Sequence, residues 1–327
     1  MNLRILSAED VRRALPMTEA IGAVKSAFAQ LSMGKVKMPL RTPIEIPAHR
    51  GVTLFMPGYL SEDNQMAIKI VSIFNDNIAR GLPLIHALVV VVDPTTGQPQ
   101  AVMDGTYLTA LRTGAASGAA TELLATPEAK VVAIFGAGAQ GKTQLEAVSA
   151  VRSVKHAWVY DTDPKRSTDY ASEMSERLSF PVTVSKSSRE AVTQAEIICT
   201  STTSSTPVFS DADLRPGVHI NAIGAYTPQM QEIPSETVIR AKVVIDHRTA
   251  SLAEAGDLLI PLHQGLIKRD HIYAELGEII VGSKPGRESE AEITLFKSVG
   301  VAAQDIAAAS RVLANAERMG LGVNVTL

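Results

Sequence analysis

Ile21, Val24, Phe28 and Leu31 recur three to four residues apart with mostly small or polar residues between them, the signature of a helix with one buried face. Ser7 followed by Asp10 has the spacing of a helix-capping pair, and Gly34 supplies a stop, so the chain is predicted to begin with two helices. From Pro39 to Asp104 the rhythm shortens. The apolar stretches "RTPIEI", "VTLFMPGYL", "QMAIKIVSIF" and "LIHALVVVVD" are divided by the turn sequences "HRG", "SEDN" and "TTGQP", which predicts a mixed or antiparallel sheet.

A small-residue helix, "YLTALRTGAASGAATELLA", leads into a different texture. "KVVAIF", "HAWVY", "PVTV", "EIICT", "GVHINAI" and "KVVIDH" alternate with helical stretches, the pattern of a parallel, doubly wound sheet. A last helix, "GVAAQDIAAASRVLANAERMG", is expected to cross back onto the first domain. The fold class is therefore α/β: a Rossmann-type doubly wound parallel sheet over residues 119–304, and a second α+β domain made of residues 1–118 with 305–327.

At 327 residues the chain exceeds a typical single domain, and 46% hydrophobic content fills two cores. Lys and Arg number 31 against 34 Asp and Glu, a net charge of −3, which gives nucleic-acid or membrane-surface binding little electrostatic support. Cys199 is the single cysteine; it permits no intrachain disulfide and no CxxC, and no metal site is expected. A cytoplasmic protein fits, since "MNLRILSAEDVRR" lacks the apolar core of a signal peptide and "ALVVVVD" is too short to span a bilayer. His86, His219 and His247 join no nucleophile or metal pattern and are assigned, with Cys199, to structure.

Within "VVAIFGAGAQGKTQLEAV", Gly136, Gly138 and Gly141 form GxGxxG directly after an apolar strand and before a helix. The first glycine permits the tight turn, the second lets backbone approach a pyrophosphate, and the third allows close packing at the positive helix end. "HAWVY" then runs into Asp161, about 20 residues on, where a carboxylate accepts hydrogen bonds from an adenosine ribose. Asp161 favours NAD(H) by repelling a 2′-phosphate, while nearby Lys165 and Arg166 leave NADP(H) open.

Taken together, "IKIVSIFNDN", "GLPLIHALVVVVDPTTGQP", "LTALRTGAASG", "IFGAGAQG", "YDTDP", "NAIGAYTP" and "TLFKSVGVAAQD" resemble the ornithine cyclodeaminase and mu-crystallin family over nearly the whole chain. The resemblance implies that Arg41, Lys69 and Arg112 surround the substrate, the guanidinium groups gripping a carboxylate and Lys69 lying near the reacting C–N bond. Arg offers a fork matched to carboxylate oxygens, and a buried Lys exchanges a proton. It further implies cofactor contacts from Arg112, Thr113, Ala139, Gln140, Thr202, Ile223, Gly224 and Ser298, with Val299 at the substrate. Thr202 and Ser298 equally suit ordinary loop or cap roles. A homodimer formed through the β-rich domain is also implied.

The stretch "HINAIGAYTPQMQEIP" separates activities within that family. Its cyclodeaminases carry an aspartate at the position matching Tyr226 and usually a lysine at the position matching Met230, equipment for ammonia loss that this chain lacks. Hydride transfer at a carbon that bears nitrogen beside a carboxylate survives the change. The expected reaction is reduction of a cyclic imino acid, pyrroline-2-carboxylate to L-proline or the six-membered analogue to L-pipecolate, with Tyr226 as a neutral wall at the substrate. Ornithine cyclodeamination, alanine dehydrogenase-like oxidation and a non-enzymatic nicotinamide-binding protein are the alternatives.

Overall fold

Ser7 caps the first helix as its spacing to Asp10 predicts: Asp10 N donates to Ser7 Oγ at 3.2 Å, and Ser7 N donates to Asp10 Oδ2 at 2.9 Å. The computed structural model describes residues 2–327. Its first elements are β1 (Asn2–Leu6), α1 (Ala8–Ala14), α2 (Met17–Ser32), β2 (Val36–Lys37), β3 (Thr42–Ile46), β4 (Gly51–Leu60), β5 (Gln65–Phe74), β6 (Ile85–Val92), β7 (Pro99–Asp104) and α3 (Gly105–Leu124). There follow β8 (Val131–Phe135), α4 (Ala139–Val151), β9 (His156–Tyr160), α5 (Pro164–Leu178), β10 (Val182–Val184), α6 (Ser188–Gln194), β11 (Ile197–Thr200) and β12 (His219–Ala222). The chain ends with α7 (Ser235–Arg240), β13 (Lys242–Ile245), α8 (Arg248–Glu254), α9 (Gly256–His263), β14 (Ile272–Glu275), α10 (Leu276–Ile280), β15 (Thr294–Lys297), α11 (Ala302–Met319) and β16 (Val323–Thr326).

These elements form two units, Met1–Arg112 with Val301–Leu327, and Thr113–Gly300. The chain passes between them inside α3 and just ahead of α11, rather than at the expected 118/119 and 304/305 junctions. In the first unit an eight-stranded sheet runs β16-β1-β7-β6-β5-β4-β2, with β3 added alongside β4. All neighbours are antiparallel except β1 and β7. The last helix, α11, packs on α2 and against β4, β5 and β6, as the sequence pattern anticipated.

Because side chains alternate along a strand, β5 turns Ala67, Lys69 and Val71 into the buried face and leaves Met66, Ile68 and Ile70 half-buried on the other. A lysine in that apolar row is the anomaly of the unit. On β6 the same alternation buries Val89 and Val91 and leaves Leu88 41% exposed, so the second face stays apolar without cover from the described residues of this chain.

The second unit is a parallel sheet in the order β10-β9-β8-β11-β12-β15-β13-β14. Its central strands, β8, β11, β12, β15 and β13, are buried on both faces, and Val132, Ile134, Ile197 and Cys199 pack with Leu145, Val148 and Tyr170 from the helices. Small residues in α3 serve this packing: a Cβ on Gly114 would lie 2.5 Å from Thr143 O in α4. Strand order reverses between β8 and β11, which creates the crevice where doubly wound sheets bind ligands. The strands β1, β2, β7, β14, β15 and β16 have no counterpart among the stretches named from the sequence pattern. No helix among the described residues is long and apolar enough to cross a membrane.

Candidate active site

At the end of β8 the chain turns through Gly136, whose φ of +98° belongs to the region glycine tolerates. A Cβ on Gly141 would fall 2.1 Å from Gly136 O, so the turn and α4 touch, whereas a Cβ on Gly138 would meet nothing within 4 Å. That space lies over the start of α4, where Gly138 is the N-cap and no side chain among the described residues caps the first amides of Ala139 and Gln140. Gln140 Oε1 is shielded from solvent and meets no donor among the described residues. Open room over uncapped helix amides suits an anionic pyrophosphate.

Asp161 follows β9 directly. Its Oδ2 accepts from Ala137 N at 2.8 Å and its Oδ1 from Asp163 N at 2.9 Å, so the carboxylate braces the glycine turn and keeps lone pairs for a ribose diol. A cavity of about 410 Å³ is lined by Gly136, Gly138, Asp161, Arg166, Ser201 and Thr202 among others. Arg166 lies 3.6 Å from Asp163. These residues fit a dinucleotide.

The remaining residues assigned to the cofactor are also in the second unit, apart from Arg112. Thr113 is buried in α3. Thr202 donates to Glu232 Oε1 from its amide at 2.6 Å and its hydroxyl at 2.8 Å, and Gly224 N donates to Glu232 Oε2 at 2.7 Å. Ile223 N donates to Thr200 O at 2.9 Å. Ser298 Oγ, Val299 N and Gly300 N converge on Asp246 Oδ2 at 2.8, 2.9 and 2.8 Å, so the Ser298 hydroxyl is spent as a donor inside the protein. Tyr226, half-buried, follows Gly224 in the same loop.

The first unit gathers the cations. Lys69 Nζ sits 2.8 Å from each oxygen of Asp305, and Arg112 donates from Nε to Asp305 Oδ1 at 2.9 Å and from Nη1 to Gln304 Oε1 at 2.7 Å. Lys69 is 2% exposed, Arg112 5% and Asp305 1%. Burial first, then the Arg112 charge and more weakly Arg41, pushes the Lys69 ammonium down to about 7; Asp305 opposes them by charge and hydrogen bond. Two buried cations share one carboxylate, with half-buried Arg41 close enough to add to their field. Such a site attracts an anion and exchanges a proton near neutrality.

Arg41, Lys69 and Arg112 thus belong to one unit, and Tyr226 and Val299 to the other with the cofactor residues. Sequence reasoning missed Asp305, Gln304, Glu232 and Asp246. Asp305 closes the quoted "TLFKSVGVAAQD" and Glu232 lies in "HINAIGAYTPQMQEIP", so both were in view without a partner in view. Cys199 and His219 are fully buried, the thiol pushed up to about 12 by burial and the imidazole down to about 3 by burial and Arg287, which suits their structural assignment.

The model of the ornithine cyclodeaminase/mu-crystallin family matches residues 1–320. The chain belongs to that family. Delta(1)-pyrroline-2-carboxylate reductase of Bacillus cereus is 39% identical over 322 residues, 98% of this chain and 99% of its own. Among solved structures, Thermococcus litoralis Delta(1)-pyrroline-2-carboxylate reductase in complex with NADH and L-proline matches at 44% identity and TM-score 0.96, over 98% of this chain and 100% of that one. An archaeal alanine dehydrogenase dimer with bound NAD matches at 35% identity and TM-score 0.93, over the whole of both chains. The match to the ornithine cyclodeaminase/mu-crystallin family and to these relatives runs through both units of the chain.

Proposed function

We propose that the protein reduces the C=N bond of a cyclic imino acid, converting pyrroline-2-carboxylate to L-proline and accepting the six-membered piperideine-2-carboxylate to give L-pipecolate. One observation carries the reading: Lys69 and Arg112 are buried against a single carboxylate, leaving an excess of positive charge that a substrate carboxylate neutralises. Arg112, with Nε and Nη1 engaged by Asp305 and Gln304, is held in a fixed orientation, and its remaining N–H groups and Arg41 grip the substrate carboxylate. The reduced nicotinamide supplies the hydride when bound. Lys69, as the ammonium, gives its proton to the imine nitrogen, so hydride and proton complete the amine, and Lys69 recovers a proton from solvent.

Asp161 supports NADH as the preferred donor, since its carboxylate faces the cavity and repels a 2′-phosphate; Arg166 on the same cavity keeps NADPH a weaker alternative. The uncovered apolar face of the first sheet supports a homodimer, each copy covering the other's Ile68, Ile70 and Leu88. A cytoplasmic location suits a chain whose single cysteine is buried and free. The test is NADH and NADPH oxidation with pyrroline-2-carboxylate, piperideine-2-carboxylate, and pyruvate plus ammonia. Turnover of a cyclic imine with NADH, faster than with pyruvate, is expected. Turnover of pyruvate alone returns the alanine dehydrogenase reading, ammonia release from ornithine the cyclodeaminase one, and nicotinamide binding without any turnover the non-enzymatic one.

A further inference from the structure

Glu232 is a buried carboxylate outside the proposed chemistry, and five donors from two stretches of chain, residues 200–202 and 224–225, converge on it. Its Oε1 accepts from Thr202 N and Thr202 Oγ1 at 2.6 and 2.8 Å; its Oε2 accepts from Thr200 Oγ1, Gly224 N and Ala225 N at 2.9, 2.7 and 3.2 Å. The two oxygens therefore face different chain segments, one the loop after β11, the other the end of β11 and mainly the loop after β12. Glu232 and Ile233 in turn donate their amides to Asp257 Oδ1 at 2.7 and 3.0 Å, and Asp257 lies 2.9 Å from Lys297 Nζ, the last residue of β15. Buried charge ties three strand ends together. The fit is tight: a Cβ on Gly224 would lie 2.2 Å from Thr202 O and 2.4 Å from Glu232 Oε1.

The topology says what these strand ends are for. The glycine turn after β8 takes the pyrophosphate and Asp161 after β9 takes the adenosine ribose, so an extended dinucleotide must carry its other half toward β11 and β12, on the far side of the strand-order reversal. We propose that Glu232 is a positioning residue for the nicotinamide half of the cofactor, fixing the Gly224 loop at the separation that half requires from the Thr202 loop, which itself borders the cavity beside Gly138 and Asp161. The carboxylate is essential to this role, because every group its oxygens meet is a donor. An amide in its place turns an NH2 toward backbone N–H groups that cannot reverse, and one loop must retreat.

Binding of two ligands to the full chain separates this role from general stability: NADH, and ADP-ribose, which lacks the nicotinamide. Glu232→Gln is expected to weaken NADH about tenfold or more and ADP-ribose, which meets only the Thr202 side of the carboxylate, about threefold or less. Thr200→Val removes a single buried donor and keeps the carboxylate; about threefold weaker NADH with ADP-ribose unchanged is expected. Equal losses for both ligands, or no loss for NADH, would overturn the proposal. Should Glu232→Gln not fold, the Thr200→Val pair of affinities decides alone.

Discussion

The two units each bury a charged cluster, and the clusters are built in opposite senses. In the first, Lys69 and Arg112 surround Asp305, two cations on one anion, with Gln304 as the other partner of the guanidinium. In the second, Glu232 and Asp257 share one cation, Lys297, and the surplus negative charge is absorbed by backbone amides and threonine hydroxyls. Backbone N–H groups are fixed donors that satisfy a buried carboxylate at little further ordering cost. No comparable backbone device among the described residues surrounds the surplus cation of the first cluster. The second cluster is satisfied from within the protein, as a scaffold is, whereas the first carries the surplus cation that the proposed substrate carboxylate would neutralise.

Mirrored substitutions test the contrast most severely. Lys297→Met leaves Asp257 and Glu232 without their cation, and unfolding in urea should show a loss of about 3–5 kcal/mol. Lys69→Met instead leaves Asp305 paired with Arg112, so stability should stay near that of the parent while imine reduction falls by about 10²–10⁴-fold, the range for loss of a general acid. Similar stability losses for both would erase the distinction between scaffold and site.

A smaller effect sharpens the account of the carboxylate grip. Arg112→Lys keeps the charge and loses the planar fork, and kcat/KM for the imine should drop roughly tenfold or more, on the order of 1.4 kcal/mol, with NADH affinity retained. Unchanged turnover would return Arg112 to a structural role.

Local pattern carried the cofactor half of the molecule much further than the charge clusters. GxGxxG, the strand before it and Asp161 lie within one βαβ segment, so their geometry follows from neighbours in the chain. Asp305 meets Lys69 across 236 residues and Arg112 across 193, and no periodicity relates such positions. Lys69 itself was legible only through its motif, because its place in the buried row of β5 opposes the usual pattern of that face. Glu232 carries no pattern of its own in the sequence, and only the fold closes Thr200, Thr202 and Gly224 around it. The strands that escaped notice have the same explanation: β1 and β16 pair across the length of the chain, and β15 is four residues ending in a lysine whose partner lies elsewhere.

The central claim, that the Asp305 cluster tunes Lys69 as a proton donor, is tested most directly by the pH dependence of kcat/KM for imine reduction in the parent and in Asp305→Asn. Lys69 must be protonated to act, and its ionisation is held near 7, so parent activity should fall as pH rises through about 7. Asp305 stabilises the ammonium, and removing its charge must move that falling limb to lower pH. Titration of the substrate is common to both enzymes and cancels in the comparison. A limb displaced toward acid supports the account; a limb that stays in place, or moves toward alkali, contradicts it.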